Sequence, residues 1–259
     1  MLRSRITISN LAYDVLWEQE RLEEKHLALN SRSPGRTFDE RRELVEQAWQ
    51  ELGGLGLARG REAHPDLLDA LRLIKRPDVE FYGWFSHGQK DTRSALALGS
   101  GEQALLAEMA DDELTLQPVR STGLIDALLS ALPPNQGGRG RSFNFPKDSF
   151  GDGGTEPARE GEFGFEAAPG GAGGADMKAL KQLLAMPRAS AGQLYVARRD
   201  RFGKRHRVDN AISFFDPPPG RYMAQETLGP DGRNWMVVAP ANARALGSRL
   251  AEMAGRLAS

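Results

Sequence analysis

Two copies of a strand–proline–helix unit constrain this fold more than any other feature of the sequence. Residues 235–239 have the alternation of a strand, Pro240 ends that strand, and a helical pattern follows to the end of the chain. Residues 113–117 form a second alternating stretch, which Pro118 ends and another helical pattern follows. Proline cannot donate a ladder hydrogen bond, so it marks the strand end, while the apolar spacing beyond it indicates an amphipathic helix.

The two units align in register on their prolines. Each strand then has a matching pair of apolar residues, and the two helices have matching leucines, the aligned pairs being Leu114 with Met236, Leu116 with Val238, Leu124 with Leu246 and Leu128 with Leu250. We predict that the strand residues of each pair pack on the helix that follows them. We also predict that the chain consists of two similar halves sharing one sheet.

Composition excludes several classes of protein. The 259 residues include 34 basic and 35 acidic side chains, so the net charge of −1 creates no global attraction to nucleic acid or anionic lipid. With no cysteine, the chain has no disulfide, thiolate zinc site or cysteine nucleophile. Neither a signal-peptide pattern nor an apolar run of membrane-spanning length is present. We therefore expect a cytoplasmic protein without membrane insertion, a monomer or weak dimer when alone.

The order of local patterns predicts an α+β fold. Thr37 to Glu40 has the capping-box pattern at the start of a helix, and Pro65 begins another helix. Strand patterns follow at 79–86, 93–98, 103–109 and 113–117, separated by turns. This succession predicts an antiparallel meander closed by a helix, and a helix with four strands and a terminal helix repeats the plan after residue 176. The predicted fold is thus a central, largely antiparallel sheet with helices from both halves.

Residues 137–175 interrupt this pattern with twelve glycines and three prolines. Such a composition predicts an irregular insert within a single domain of residues 1–259, dividing it into halves of about 1–136 and 176–259. The insert also contains five of the eleven phenylalanines, Phe143, Phe145, Phe150, Phe163 and Phe165. Because a simple linker needs no aromatic residues, we expect part of the insert to dock on the protein surface.

Limited proteolysis is expected to cut within residues 137–175 and to leave two associated halves. Glycine loses more backbone entropy on ordering than any other residue, so a glycine-rich segment is accessible to a protease. The measurement is mass spectrometry of the first fragments, followed by size-exclusion chromatography of the cut protein. Full protection of this segment, with first cleavage elsewhere, would rule the assignment out.

The sequence contains no complete catalytic or cofactor-binding pattern. The four histidines have no metal-ligand spacing, Gly203-Lys204 lacks the rest of a P-loop, and no nucleophile elbow is present. Gly170 to Gly174 before the helix at Asp176 leaves one alternative open, a small-ligand or nucleotide-binding protein that holds an anion at the helix N-terminus. The main prediction is a binding protein that is not an enzyme and needs no cofactor.

A basic hairpin candidate lies at residues 198–207, with Phe202-Gly203 at its tip. It contains six cationic residues that could contact phosphates: Arg198, Arg199, Arg201, Lys204, Arg205 and Arg207. The near-neutral charge of the whole chain favours a solvated hairpin whose charges oppose edge-to-edge pairing. We therefore expect no nucleic-acid partner.

Six short motifs occur in order along the chain: AYDVLW at 12–17, SPGRT at 33–37, RPDVE at 76–80, RFG at 201–203, ISFFD at 212–216 and GRY at 220–222. In sequence and in order they resemble the motifs of a known family, the EspG proteins of actinobacterial ESX (type VII) secretion. The resemblance covers nearly the whole chain apart from residues 137–175. It implies a central sheet with two helical subdomains related by a pseudo-twofold axis.

The same resemblance implies a function. Proteins similar to these are cytosolic chaperones without ATPase activity, which bind PE–PPE heterodimers at the apolar tip of the PPE helical bundle and keep them soluble for export. The expected partners are therefore PE–PPE-like or related helical hairpin substrates.

The last strand candidate suggests where such a partner would bind. One face of residues 113–117 is polar, whereas the matching face of the last strand consists of Trp235, Val237 and Ala239. A strand that is apolar on both faces is covered on both, either by its own chain or by a partner. The residues alone do not separate these alternatives, and the family resemblance favours a partner. The predicted partner-binding residues are Trp235, Val237, Ala239, Phe215, Trp84, His87, Gln89 and Lys90.

Overall fold

The secondary structure matches the predicted succession of helices and strands. A computed structural model describes residues 1–88, 91–146, 175–230 and 232–257. Its helices are α1 (Asn10–Gln19), α2 (Phe38–Gly54), α3 (Pro65–Lys75), α4 (Leu124–Ser130), α5 (Ala175–Leu184) and α6 (Ala243–Arg256). Its strands are β1 (Ile6–Ser9), β2 (Ala58–Arg59), β3 (Glu62–Ala63), β4 (Val79–His87), β5 (Asp91–Ser100), β6 (Gln103–Ala110), β7 (Glu113–Pro118), β8 (Phe143–Pro146), β9 (Ser190–Arg199), β10 (Arg205–Arg207), β11 (Ile212–Phe215), β12 (Tyr222–Leu228) and β13 (Asn234–Pro240).

The start of α2 is fixed by the predicted capping box. The hydroxyl of Thr37 accepts a hydrogen bond from the Glu40 amide at 3.2 Å, and the Glu40 carboxylate accepts one from the Thr37 amide at 3.3 Å. These two bonds satisfy amides that have no partner within the first turn of a helix. The local sequence therefore determines where this helix begins.

One antiparallel sheet joins both halves of the chain. Its strand order is β1-β7-β6-β5-β4-β9-β11-β12-β13-β8, with β10 pairing on the remaining length of β9, and every one of these pairs is antiparallel. The predicted α+β fold with a large antiparallel sheet is confirmed.

The element order repeats about the central pair of strands, β4 and β9. Helix α3, strands β4 to β7 and helix α4 correspond to helix α5, strands β9, β11, β12 and β13, and helix α6. The outer strands correspond too, since β1 pairs with β7 and β8 pairs with β13. At the centre Tyr82 and Tyr195 are register partners, and their rings stack with centroids 5.4 Å apart.

The helices cover the two faces of the sheet differently. We call the face bearing Tyr82 and Leu96 the front face, where α1, α2 and α3 cover the first half and α5 covers β11, β12 and β13. On the opposite back face, which bears Phe81 and Leu106, α4 and α6 lie side by side over the middle of the sheet. Gly247 of α6 lies so close to α4 that an added Cβ would be 3.5 Å from Ile125.

This arrangement contradicts the prediction that the matched strand residues pack on the helices that follow them. Leu114 and Leu116 are buried on the front face with α1 to α3, whereas α4 lies on the back face. Met236 and Val238 are likewise buried with α5 rather than α6. The reason is that each closing helix turns back over the centre of the sheet and leaves its own strand.

The first part of the glycine-rich segment also differs from the prediction of a wholly irregular insert. Residues Phe143–Pro146 form β8, which pairs with β13 from Val238 to Trp235. Phe143 is buried against the α5 cluster and stacks on Phe145, so part of the segment docks on the protein as expected. Residues 147–174, with the other three phenylalanines, lie outside the described residues.

A buried ionic network links the two halves on the front face. The carboxylate of Glu80, only 1% exposed, accepts hydrogen bonds from Arg205 Nε and Nη2 at 2.8 and 2.9 Å and from His26 Nε2 at 2.7 Å. His26 Nδ1 accepts from the Ala28 amide, so Nε2 carries the hydrogen that it donates. Burial by itself raises the pKa of Glu80, but the bonds from His26 and Arg205 outweigh it and lower the pKa to about 2.

Glu80 is expected to make the protein less stable in acid. A carboxyl whose pKa is lower in the folded than in the unfolded protein stabilises the fold above its unfolded pKa of about 4.3, and this contribution disappears as the pH falls toward 2. Its size is on the order of 3 kcal/mol. Urea midpoints measured from pH 7 to pH 3 should fall less steeply for Glu80→Gln than for the wild type; parallel curves would contradict this role.

Candidate partner-binding surface

The back face of β13 presents a strip of three half-exposed apolar side chains. Trp235, Val237 and Ala239 point to this face, while Met236 and Val238 between them are buried under α5 on the front. The three residues lie outside the buried clusters that α4 and α6 form on the back face. From Trp235 to Ala239 the strand advances by four residues, so the strip is about 13 Å long at 3.3 Å per residue.

Neighbouring strands extend this strip sideways. On β12, Thr227 faces Trp235 and Gln225 faces Val237, and on β8, Asn144 faces Val237. At a strand spacing of about 4.8 Å, β12, β13 and β8 make a surface roughly 10 Å wide, which is close to the diameter of one α-helix.

Polar side chains of α6 and β12 form a rim along one side of the strip. Arg249 of α6 donates from Nε to Gln225 Oε1 and also pairs with Glu252, one turn further along the helix. The amide of Gln225 contacts the sulfur of Met253 at 3.4 Å, so this buried side chain is held on both ends. The rim therefore has a fixed geometry, with a guanidinium and a carboxylate beside an apolar floor.

The equivalent surface of the first half is polar. The back face of β7 carries exposed Glu113, half-buried Gln117 and Thr115, whose hydroxyl lies 3.0 Å from that of Thr7 on β1. All three side chains are polar, and the hydroxyl of Thr115 is paired with that of Thr7. The element order repeats in the two halves, and among the described residues only the second half has an apolar strip at this position.

Phe215, predicted to bind a partner, does not belong to this surface. It is 1% exposed, lies on the front face under α5, stacks on Tyr222 and is covered by the guanidinium of Arg188. The strand alternation that exposes Trp235 on the back face places Phe215 on the front. Phe215 thus offers almost no accessible surface in the free protein, and its contact with a partner stays a prediction.

The predicted residues around the β4–β5 hairpin are also distant from the strip in the fold. Trp84 is half-buried on the front face, where its ring meets Tyr82 and Tyr195 edge-on. His87 is the last residue of β4 and lies at the end of the strands opposite to the end where Trp235 lies on β13. Gln89 and Lys90 lie outside the described residues. Trp84 and Trp235 thus belong to two separate surfaces.

A cavity lies beside Trp84 that the sequence did not predict. It has a volume of about 590 Å³, and its walls include Leu27, Met109, Arg93 and Asn10. Asn10 Nδ2 donates to the Asp111 carbonyl, and Asn10 Oδ1 has no hydrogen-bond partner among the described residues. These walls come from four distant parts of the chain, so no local pattern could have predicted the cavity.

Most of the cations in the basic hairpin are used within the protein. Arg205 pairs with Glu80, Arg199 donates to the Gly203 carbonyl at 3.0 Å, and the Arg207 guanidinium lies 5.4 Å from the centre of the Tyr195 ring. Among the described residues, the exposed hairpin cations without a carboxylate contact are Arg201 and Lys204 at the tip and Arg207, which lies over Tyr195. This placement leaves few charges for a nucleic-acid backbone.

The hairpin is therefore expected to give no nucleic-acid binding at physiological ionic strength. Three exposed cations can neutralise at most about three phosphates, and so few contacts displace too few counterions from the nucleic acid for measurable affinity in salt. Fluorescence anisotropy with labelled duplex DNA and single-stranded RNA measures this directly. Binding that persists in salt and disappears in Arg201→Ser/Lys204→Ser would refute the expectation.

The described residues give no support to catalytic or metal chemistry. They contain no group of three side chains placed to hold a metal ion. His26 and His206 contact carboxylates, and His64 caps α3 by accepting from the Asp66 amide at 3.2 Å. Gly170 to Gly174, the alternative nucleotide site, lies outside the described residues. Within the described part of the chain, none of the helices could span a lipid bilayer.

Comparisons with known proteins agree with the resemblance seen in the motifs. The structure is similar to that of the Mycobacterium tuberculosis type VII secretion system chaperone EspG5, solved in complex with the PE25–PPE41 dimer. The TM-score is 0.63 and the identity 16%, over 96% of this chain and 95% of that chain, which establishes a shared fold. No curated protein matches the sequence. A model of the EspG family matches residues 9–252, and this chain therefore belongs to the EspG family.

Proposed function

We propose that this protein is a cytosolic chaperone that binds PE–PPE-type helical substrates of a type VII secretion system and keeps them soluble for export. The observation that carries the proposal is the apolar strip of Trp235, Val237 and Ala239 on a member of the EspG family. The relative of known structure, EspG5, was solved with a PE25–PPE41 dimer bound, which supports the same class of partner here.

The strip suits the end of a helical bundle. Its floor is apolar and about as wide as one helix, so it would cover an apolar tip that otherwise promotes aggregation. Three side chains are too few for a stable interface, which needs roughly 800 Å² on each partner. We assign the rest of the contact to the rim, where Arg249, Glu252 and Asn144 could pair with polar groups of the cargo.

The centre and the rim of a protein interface contribute differently to the free energy of binding. Large aromatic residues at the centre of an interface contribute most to affinity, while a polar rim excludes water and sets the register. Trp235 of the strip is a residue type enriched at such centres, and Arg249 belongs to the rim. Binding would need no nucleotide, since burial of apolar surface and polar pairing at the rim require no energy from hydrolysis.

Co-expression tests the proposal. A PE–PPE pair from the same host, produced alone, is expected to precipitate, and produced with this protein it should remain soluble and elute as one complex in size-exclusion chromatography. The matched control is the same pair with an unrelated soluble protein of similar size. A pair that stays insoluble, or elutes separately from this protein, would refute the proposed function.

A further inference from the structure

The tip of the β9–β10 hairpin presents an exposed aromatic ring between two cations. Phe202 is 79% exposed, and the guanidinium of Arg201 lies 4.8 Å from the centre of its ring. Lys204 follows two residues later, and Arg76 approaches from below, where an added Cβ on Gly203 would be 2.6 Å from its Nη2. Gly203 has φ +79°, so glycine satisfies both the close approach and the backbone geometry.

This tip is rigid because Asp200 organises it. One carboxylate oxygen of Asp200 accepts hydrogen bonds from the amides of Phe202 and Lys204 at 2.8 and 3.0 Å, and the other lies 2.8 Å from His206 Nε2. The Gly203 amide donates to the Asp200 carbonyl, and the Asp200 amide donates to the Lys204 carbonyl. The exposed ring is therefore held in place, and its contact with a partner would cost little conformational entropy.

The backbone amides at the tip are satisfied within the loop. The amides of residues 202 to 204 all donate within the loop, and the Gly203 carbonyl accepts from Arg199. A loop that enters the interface of a bilayer must leave few unsatisfied backbone groups, since the apolar region offers no partner for them. What remains outward is an aromatic ring and cations, which match acyl chains and anionic headgroups.

We propose that the β9–β10 hairpin tip is a peripheral membrane contact, with Phe202 inserted between the headgroups of an anionic bilayer and Arg201 and Lys204 on its phosphates. This contact lies on the β9–β10 hairpin, whereas the proposed cargo strip is on the back face of β13, so it does not depend on the proposed function. One ring with two or three cations gives weak, reversible attachment, since each cation near an anionic surface contributes about fivefold in affinity.

Exposure of a phenylalanine alone does not make such a site, as Phe38 illustrates. Phe38 is 91% exposed at the start of α2, but the cations that follow it are paired with carboxylates, Arg42 with Asp39 at 3.5 Å and Arg41 with Asp14 at 2.8 Å. Paired cations offer an anionic surface less positive charge than the tip cations do. Phe38 therefore provides a matched control for Phe202 in the same molecule.

The absence of cysteine allows a direct test with the full-length protein. Phe202→Cys and Phe38→Cys are each labelled with an environment-sensitive NBD dye and mixed with vesicles of phosphatidylcholine alone or with phosphatidylglycerol. We expect a blue shift and increased emission only for the dye at position 202 and only with the anionic vesicles. Emission unchanged at position 202, or equally changed at position 38, would overturn the proposal.

Vesicle co-sedimentation of unlabelled protein gives the second measurement. Phe202→Ser should reduce binding to the anionic vesicles about tenfold, and Arg201→Ser and Lys204→Ser about fivefold each, with circular dichroism unchanged. Phe38→Ser should bind as the wild type does. Wild-type protein that stays in the supernatant, or that is retained on duplex DNA while ignoring vesicles, would replace the membrane with a different partner and overturn the proposal.

Discussion

The double substitution Trp235→Ala/Val237→Asp is expected to abolish co-purification of helical cargo while the free protein stays folded. Truncation of a tryptophan at an interface centre costs on the order of 2 kcal/mol, about thirtyfold in Kd. A carboxylate at position 237 would be buried by the cargo without a partner, which adds a further penalty. Both residues are half-exposed in the free protein, so neither change leaves a cavity in its core.

The control for this experiment is a similar change on the neighbouring strand. Leu228 is 73% exposed, and its register partner is Asn234, so its side chain points to the front face. Leu228→Asp introduces the same charge near the same end of the sheet without touching the strip. Cargo pulled down at wild-type yield by the double variant, or lost equally in Leu228→Asp, would remove the strip from the binding site.

The second large effect is expected from the buried ion pair of Asp216 and Arg221. Arg221 donates from Nε and Nη2 to the two carboxylate oxygens of Asp216 at 2.8 and 2.7 Å, and Nη2 also reaches the Pro133 carbonyl at 2.7 Å. Both side chains are at least 95% buried. Asp216→Ala leaves the guanidinium buried without a counter-charge, and this should cost roughly 3–5 kcal/mol of the free energy of unfolding.

A second variant separates the loss of the charge partner from the loss of packing. Asp216→Leu/Arg221→Met removes both charges and retains most of the apolar volume, so it should unfold at a higher urea concentration than Asp216→Ala. Urea denaturation followed by circular dichroism measures both midpoints. A double variant less stable than the single one would mean that the pair itself, rather than the avoidance of an unpaired charge, stabilises this region.

The backbone of Arg221 also fixes the segment between the halves. The Arg221 amide donates to the Gln136 carbonyl, and the Gly138 amide donates back to the Arg221 carbonyl. Gly220 lies so close to this segment that an added Cβ would be 2.7 Å from the Gly137 carbonyl oxygen. The chain that leads from α4 into β8 is thereby held against the turn before β12, which brings β8 beside β13 and the apolar strip.

The proposed membrane contact and the proposed cargo strip lie on different parts of the molecule. The strip lies on the back face beside α6, and the hairpin tip projects from the end of β9. A chaperone with this arrangement could touch a bilayer while it carries cargo. Loss of vesicle binding in Phe202→Ser with cargo binding retained would demonstrate that the two contacts are independent.

The sequence by itself determined the local structure of this protein and its division into two related halves. The capping box at Thr37, the strands that end at Pro118 and Pro240, and the hairpin around Gly203 depend on residues only a few positions apart. Their hydrogen bonds and backbone limits are therefore set by neighbours in the chain. The motif order also identified the family, because it needs no knowledge of contacts.

Only the tertiary structure decided which face each residue occupies and what covers it. Phe215 and Trp235 are both aromatic residues in strands of the second half, and yet α5 buries the first while the second remains half-exposed. The pairing of Arg205 with Glu80 joins residues 125 positions apart, and no local pattern separates that arginine from its exposed neighbours. Strand alternation divides residues into two faces, but the positions of the helices, set by packing over the whole sheet, decide which face is buried.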